Sequence, residues 1–217
     1  MSMTATSVDQ STRSSRIEKA FDLMTAKNFE AAEAELNAGA EDAAQAQDKV
    51  MEALFYSTLG VLHKLKKDFK GAWRFYDKAE KILPEDPALK LISARLLVEV
   101  FGQLDTAIKK AEKVLNLAKN DRPFTHQAQA TLGLAYLKKG DKKRALQCLN
   151  DAMAEDFDGI ISAGNIDLKL LEALSRKKLG LTECKQYLEK AHLFAQKTGE
   201  ERLEGVFLKL IQSFPGP

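Results

Sequence analysis

Three histidines and two cysteines are the side chains of this 217-residue chain best suited to acid–base, nucleophilic or metal chemistry. A helical zinc site needs a second ligand four residues along, and catalysis needs polar groups that converge. None of His63, His126 and His192 has a Cys, Asp or Glu at that spacing, so each reads as a structural histidine. Cys148 and Cys184 fall at small-residue or core-facing positions of helices and read as buried thiols rather than as a disulfide or a metal pair. The chain carries no Gly-rich phosphate loop, no nucleophile elbow and no Cys-x-x-Cys. These residues predict no enzyme, no cofactor and no metal.

Composition narrows the class. An apolar fraction of 45% with 29% charged residues is that of a soluble globular chain, and the formal charge of +2 does not call for nucleic acid. No apolar run approaches the ~20 residues of a membrane span, and the N-terminus has no apolar signal region. The expectation is a cytoplasmic protein with no membrane insertion. Charge is uneven along the chain, acidic over the first fifty residues and basic over 104–150.

The elements that must position any site are helices. No segment alternates with a strand's period, whereas Lys27-Asn28, Lys67-Asp68, Gly102-Gln103, Gly140-Asp141 and Gly180-Leu181-Thr182 end one helix with Gly or a base, several opening the next with Asn, Asp or Thr. Pro84, Pro87 and Pro123 fall between helix pairs, where a missing amide does least harm. Residues 1–12, rich in Ser and Thr, read as a disordered tail. Leu203, Val206, Phe207, Leu210 and Ile211 recur at helical spacing in 200–212, which reads as a capping helix, with a detachable partner-binding helix as the alternative.

One motif occurs twice: Tyr56, Leu59, Gly60, His63, Ala72, Tyr76, Ala79 and Pro84, then Leu132, Gly133, Tyr136, Gly140, Ala145, Leu149 and Ala152. It resembles the tetratricopeptide repeat, a helix-turn-helix unit of about 34 residues. Gly60 and Gly133 stand where the first helix presses closest on its neighbour, and Ala72 and Ala145 are the small residues facing them. The resemblance covers 13–197 and implies a right-handed α-solenoid of about five repeats, starting near Arg13, Ala53, Ala88, His126 and Asn165, with 198–217 as the cap. The steps exceed the family's, and the excess falls in 41–48, 120–125 and 155–164. In the third repeat the turn at 102–107 sets one register, while Ala94 takes the Gly place only in a register shifted by one. Glu172 stands where the fifth repeat should have Gly. The first helix of the third repeat is apolar nearly all round, so a neighbouring helix, another chain or a partner must cover it.

In such arrays the first helices line the concave side. The resemblance then implies a groove built from Phe21, Leu54, Val61, Lys64, Ile92, Leu96, Val100, Leu134, Leu137, Lys138, Lys169 and Arg176, running from apolar to basic. Ile17, Met24, Ser57, Gln127, Ala130, Ile166, Ala173 and Lys177 fall in the same positions, as do Leu65 and Leu89, which could equally serve the array's own packing. The family's Lys, Asn and Arg carboxylate clamp is missing. Along one edge Lys66, Lys67, Lys139, Lys142, Lys143 and Arg144 form a basic ridge, read either as helix-end electrostatics that also keep the edge soluble or as a dock for an acidic surface. The predicted function is a non-catalytic adaptor or scaffold that holds an amphipathic helix or extended apolar segment of a protein partner, acidic if the ridge takes part. The alternative is a structural repeat protein that self-associates through the groove as a homo-oligomer.

Overall fold

The computed structural model describes residues 5–214, with side chains over 15–154 and 156–214. Among them are eleven α-helices and no strand: α1 (Ala5–Thr25), α2 (Phe29–Gln45), α3 (Lys49–Leu65), α4 (Phe69–Ile82), α5 (Pro87–Leu96), α6 (Leu104–Leu117), α7 (Arg122–Lys139), α8 (Lys142–Ala152), α9 (Lys169–Arg176), α10 (Leu181–Thr198) and α11 (Glu201–Ser213). The chain divides into two compact units, Met1–Leu89 and Lys90–Pro217, the division falling inside α5. In the first unit α1 packs on α2, α2 on α3 and α3 on α4; in the second α6 packs on α7, α7 on α8 and α9, and α10 on α8, α9 and α11. Each helix buries its apolar stripe on its sequence neighbours, which is the packing of an α-solenoid. Helix α11 closes the second unit by burying Phe207. The helix drawn from Ala5 runs through most of the stretch expected as a disordered tail, because elongating a helix already anchored by Ile17, Ala20 and Met24 adds one hydrogen bond per residue. Residues 1–4 of that stretch lie outside the described residues.

Tight turns set the helix spacing. Lys27, Gln47 and Lys67 adopt left-handed φ of 60°, 56° and 61°, and Gly140 one of 85°. Each ends a helix by sending the next residue's N–H back to an open carbonyl: Asn28 to Leu23, Asp48 to Ala43, Asp68 to His63 and Asp141 to Tyr136, all at 2.8–2.9 Å. The same Asn or Asp then accepts from the third N–H of the following helix, as Asp68 does from Gly71 at 2.9 Å and Asp141 from Arg144 at 3.0 Å. One residue thus finishes one helix and starts the next. At 180–182 the expectation fails in detail: α10 opens on Gly180, with no side-chain cap from Thr182.

Two departures from regular repeats matter for the site. Helix α5 runs into a π turn, Leu97–Phe101, which inserts one residue before the left-handed Gly102. The one residue that this turn adds lies between the buried Ala94 and the turn at Gly102, where the two registers of the third repeat differ by one. Leu91, Leu96, Leu97 and Val98 are buried, and Leu91 packs with Val114 of α6 and Ala128 of α7, so the second unit's own helices supply this cover. The second departure is the connection between α8 and α9. It folds as short 3-10 turns, with Phe157 in a left-handed conformation (φ 64°) and its buried ring edge-on to Tyr187 and His126. The fifth repeat's first helix consequently starts only at Lys169, and Ile166 is extended and buried. The physical reason is competition for the backbone: the Asp167 N–H is taken by His126 Nε2 and its carbonyl by the Tyr187 hydroxyl, both at 2.8 Å.

Candidate functional site

In the first unit, α3 lies between α2 and α4 and leaves one stripe to solvent. Val50, Leu54, Ser57, Val61, Lys64 and Leu65 fall on it at helical spacing. Val50, Leu54 and Leu65 are 63%, 43% and 55% exposed, and Val61 is half-buried. The outward face of a helix in water is ordinarily polar. Here only Ser57, which donates to the Leu54 carbonyl at 2.9 Å, and Lys64 are polar. On α1, Phe21 is 47% exposed, while Ile17 and Met24 are buried in the core. Val50, one turn before Leu54 on the same stripe, escapes a reading by repeat position because it precedes the repeat's first residue.

The second unit places its expected groove residues less uniformly. Val100, Lys138, Lys169 and Arg176 are exposed, Ile92 and Leu134 half-buried, and Leu96 and Leu137 belong to the core; Leu89 of the first unit is buried as well. The basic character expected at this end is largely neutralised. Arg95 pairs with Asp167 at 2.8 Å and donates to Gln127 Oε1 at 3.2 Å; Lys169 pairs with Glu99. Lys138 spends its ammonium on the Val98 carbonyl inside the π turn. The Asp167 side chain is nearly buried, so its charge depends on Arg95 for a partner. Arg95, Gln127, Asp167 and Lys169 line an open surface cavity of about 390 Å³, together with residues 164–168. Arg95 and Glu99, one turn apart in a stretch whose only other charge is Lys90, are the sequence signal for this network; Asp167 has none, since its position depends on the irregular connection.

The residues expected on a basic ridge differ in their chemistry. Lys66 pairs with Glu33 at 2.9 Å and Lys139 with Asp105, and each cation holds its partner's carboxyl below the usual range. Arg144 pairs with Asp141 at 3.3 Å and lies over the Tyr136 ring. Lys67, Lys142 and Lys143 are exposed and make no ion pair among the described residues.

The candidate chemical residues have structural work. His63 is buried against Phe75, with Asp68 Oδ2 2.8 Å from Nδ1 and Glu33 Oε1 3.3 Å from Nε2. The Asp68 carboxyl is held low first by the Gly71 N–H and then by His63. Cys148 and Cys184 are both buried free thiols, and burial pushes the Cys148 thiol up to about 12, which leaves it unreactive. Among the described residues no three His, Cys, Asp or Glu side chains are placed to hold a metal, and no helix is long and apolar enough to cross a membrane.

No protein-family model and no curated protein matches the sequence. The fold is found in solved structures. BtubC from P. vanneervenii is similar with a TM-score of 0.63 at 16% identity, over 99% of this chain and 96% of that one. PilW, described as a widely conserved type IV pilus biogenesis factor, gives 0.60 at 16% identity over 95% of each chain. A tetratricopeptide repeat protein from Parabacteroides merdae gives 0.54 at 14% identity, over 94% of this chain and 80% of that one. At these identities the likeness is one of fold, and it bears out the architecture implied by the repeated motif.

Proposed function

We propose that this chain, which has the fold of tetratricopeptide-repeat proteins, is a non-catalytic protein-interaction adaptor. The observation that carries this reading is the apolar stripe of α3: Val50, Leu54 and Leu65 are exposed, with Val61 half-buried among them, on a helix whose other faces pack mostly on α2 and α4. Such a stripe suits the apolar face of a partner's amphipathic helix or an extended apolar segment. Phe21 adds an aromatic anchor on α1, and Lys64 a charge that orients the occupant.

The test compares proteins captured from a native lysate by the wild-type chain with those captured by the Leu54→Glu and Val61→Glu variants. Loss of specific proteins with both variants, at unchanged helicity, supports the reading. Equal capture by all three overturns it. A mass in solution that doubles with concentration, and does so only for the wild type, assigns the stripe to a second copy instead.

A further inference from the structure

The start of α8 has an unusual charge pattern. Cations at a helix C-terminus are favoured by the helix dipole, and those in the first turn are disfavoured. Lys138 and Lys139 close α7 and obey that rule. Lys142, Lys143 and Arg144 do not: they fill the first turn of α8, which holds no acidic residue. Arg144 is compensated by Asp141 and by the Tyr136 ring. Lys142 and Lys143 have neither, so helix-end electrostatics leaves both unexplained.

A second turn adds to the same surface. Gly180, between α9 and α10, lies so close to Leu146 of α8 that a Cβ there would overlap it, so the α9–α10 turn abuts α8. That turn brings Arg176, Lys177 and Lys178, all exposed. Together residues 138–144 and 176–183 carry eight cations against two anions, in a chain whose formal charge is +2; Lys139 is paired with Asp105 and Arg144 with Asp141, and Lys142, Lys143, Lys177 and Lys178 make no ion pair among the described residues. In 136–144 and 176–183 no aromatic side chain is exposed to stack a base, since Tyr136 is half-buried under Arg144. In the same stretches no apolar side chain is exposed to enter a bilayer, Leu179 and Leu181 being half-buried.

We infer that these two turns form a second docking surface, separate from the α3 stripe, for an acidic segment of a protein partner. The choice of a protein rests on the adaptor reading; the anionic chemistry rests on the charges. The Asp141 cap is the one carboxylate at the start of α8 and is engaged by Arg144; carboxylates brought to Lys142 and Lys143 add negative charge there and form ion pairs with two cations that have none among the described residues.

The experiment uses the full chain and a short fluorescein-labelled peptide of alternating Glu and Ala, followed by fluorescence anisotropy. The peptide binds, and its affinity falls about tenfold or more as ionic strength rises from roughly 0.05 M to 0.2 M. Lys142→Glu/Lys143→Glu lowers the affinity at low salt by about tenfold or more, while the melting temperature holds or rises because acidic residues suit a first turn. Lys119→Glu/Lys209→Glu, an equal change of net charge at exposed sites elsewhere, leaves binding near wild type. Leu54→Glu also leaves it unchanged, so failure of the α3 stripe and failure of this surface are read separately. Affinity indifferent to the Lys142/Lys143 reversal, or a melting temperature that falls with it, overturns the inference. So does binding to phosphatidylserine vesicles or a single-stranded oligonucleotide without binding to the peptide, which reassigns the surface to lipid or nucleic acid.

Discussion

His126 Nε2 accepts the backbone N–H of Asp167 at 2.8 Å, while its Nδ1 lies 2.9 Å from the carbonyl of Ala152. Accepting at Nε2 and donating at Nδ1 fixes one neutral tautomer. The ring thereby ties the end of α8 to the segment that precedes α9, inside a cluster with Phe157 and Tyr187. Burial lowers the His126 pKa, against a smaller opposing effect of the Ala152 carbonyl.

A folded-state pKa below the unfolded one gives stability that is fully present above about 6.5 and declines as pH falls below it, because the unfolded chain takes up a proton first. Denaturant midpoints should therefore drop between pH 7 and pH 5. His126→Ala leaves the Asp167 N–H and the Ala152 carbonyl without this partner, at roughly 1–3 kcal/mol each. It should lower stability at pH 7.5 and flatten the pH dependence below 6.5. A variant with the wild-type pH slope would show that the slope arises elsewhere.

Lys138 serves the π turn in a similar way. A one-residue insertion leaves carbonyls without their usual helical donors, and the Lys138 ammonium supplies one to Val98. Lys138→Met keeps the length of the stem and removes the donor. We expect a loss of about 1 kcal/mol, with faster amide exchange around Gly102 and Gln103. Lys142→Met, on an exposed lysine with no such bond, should leave both quantities unchanged.

Local chemistry explains what could be read in advance. Asn28, Asp68 and Asp141 cap their own helices, so three turns, and with them the helix pairs, were legible from neighbouring residues. Leu54, Val61 and Lys64 of the α3 stripe were picked out by the concave-side positions that the tetratricopeptide resemblance implies. The π turn left only a trace, the one-residue conflict between Ala94 and the turn at Gly102. Asp167, whose backbone answers to His126 and Tyr187 and whose carboxylate answers to Arg95, left none. Residues positioned by partners distant in sequence have no local pattern to betray them. For the same reason Leu96 and Leu137, which occupy groove positions by repeat spacing, turn out buried in the core.

Gly60 and Gly133 test the repeat packing itself. A Cβ on Gly60 would overlap the ring of Tyr76 on α4, and one on Gly133 would overlap Leu170 of α9 and crowd Cys148 of α8. Gly60→Leu and Gly133→Leu should each cost roughly 1–3 kcal/mol by overpacking. For a chain of this size each kcal/mol lowers the melting temperature by about 2–4 °C. Hydrogen exchange should quicken in α3 and α4 for the first variant, and in α7, α8 and α9 for the second. Unchanged exchange around either glycine would mean that the neighbouring ring or leucine yields at little cost.

The α3 stripe separates binding from folding. Leu54 is 43% exposed, so Leu54→Glu places its carboxylate at the surface and should leave the melting temperature within a degree or two of wild type. If Leu54 anchors a partner's apolar face, the same change costs on the order of 2 kcal/mol of binding, about a thirtyfold loss of affinity by titration calorimetry. Leu96→Glu behaves oppositely: Leu96 is 3% exposed, and a carboxylate there has no cation to meet in the core, so the second unit should unfold or melt well below wild type. Equal affinity for the partner in the wild type and the Leu54→Glu variant would remove the α3 stripe from recognition, and a stable Leu96→Glu variant would return that residue to the groove.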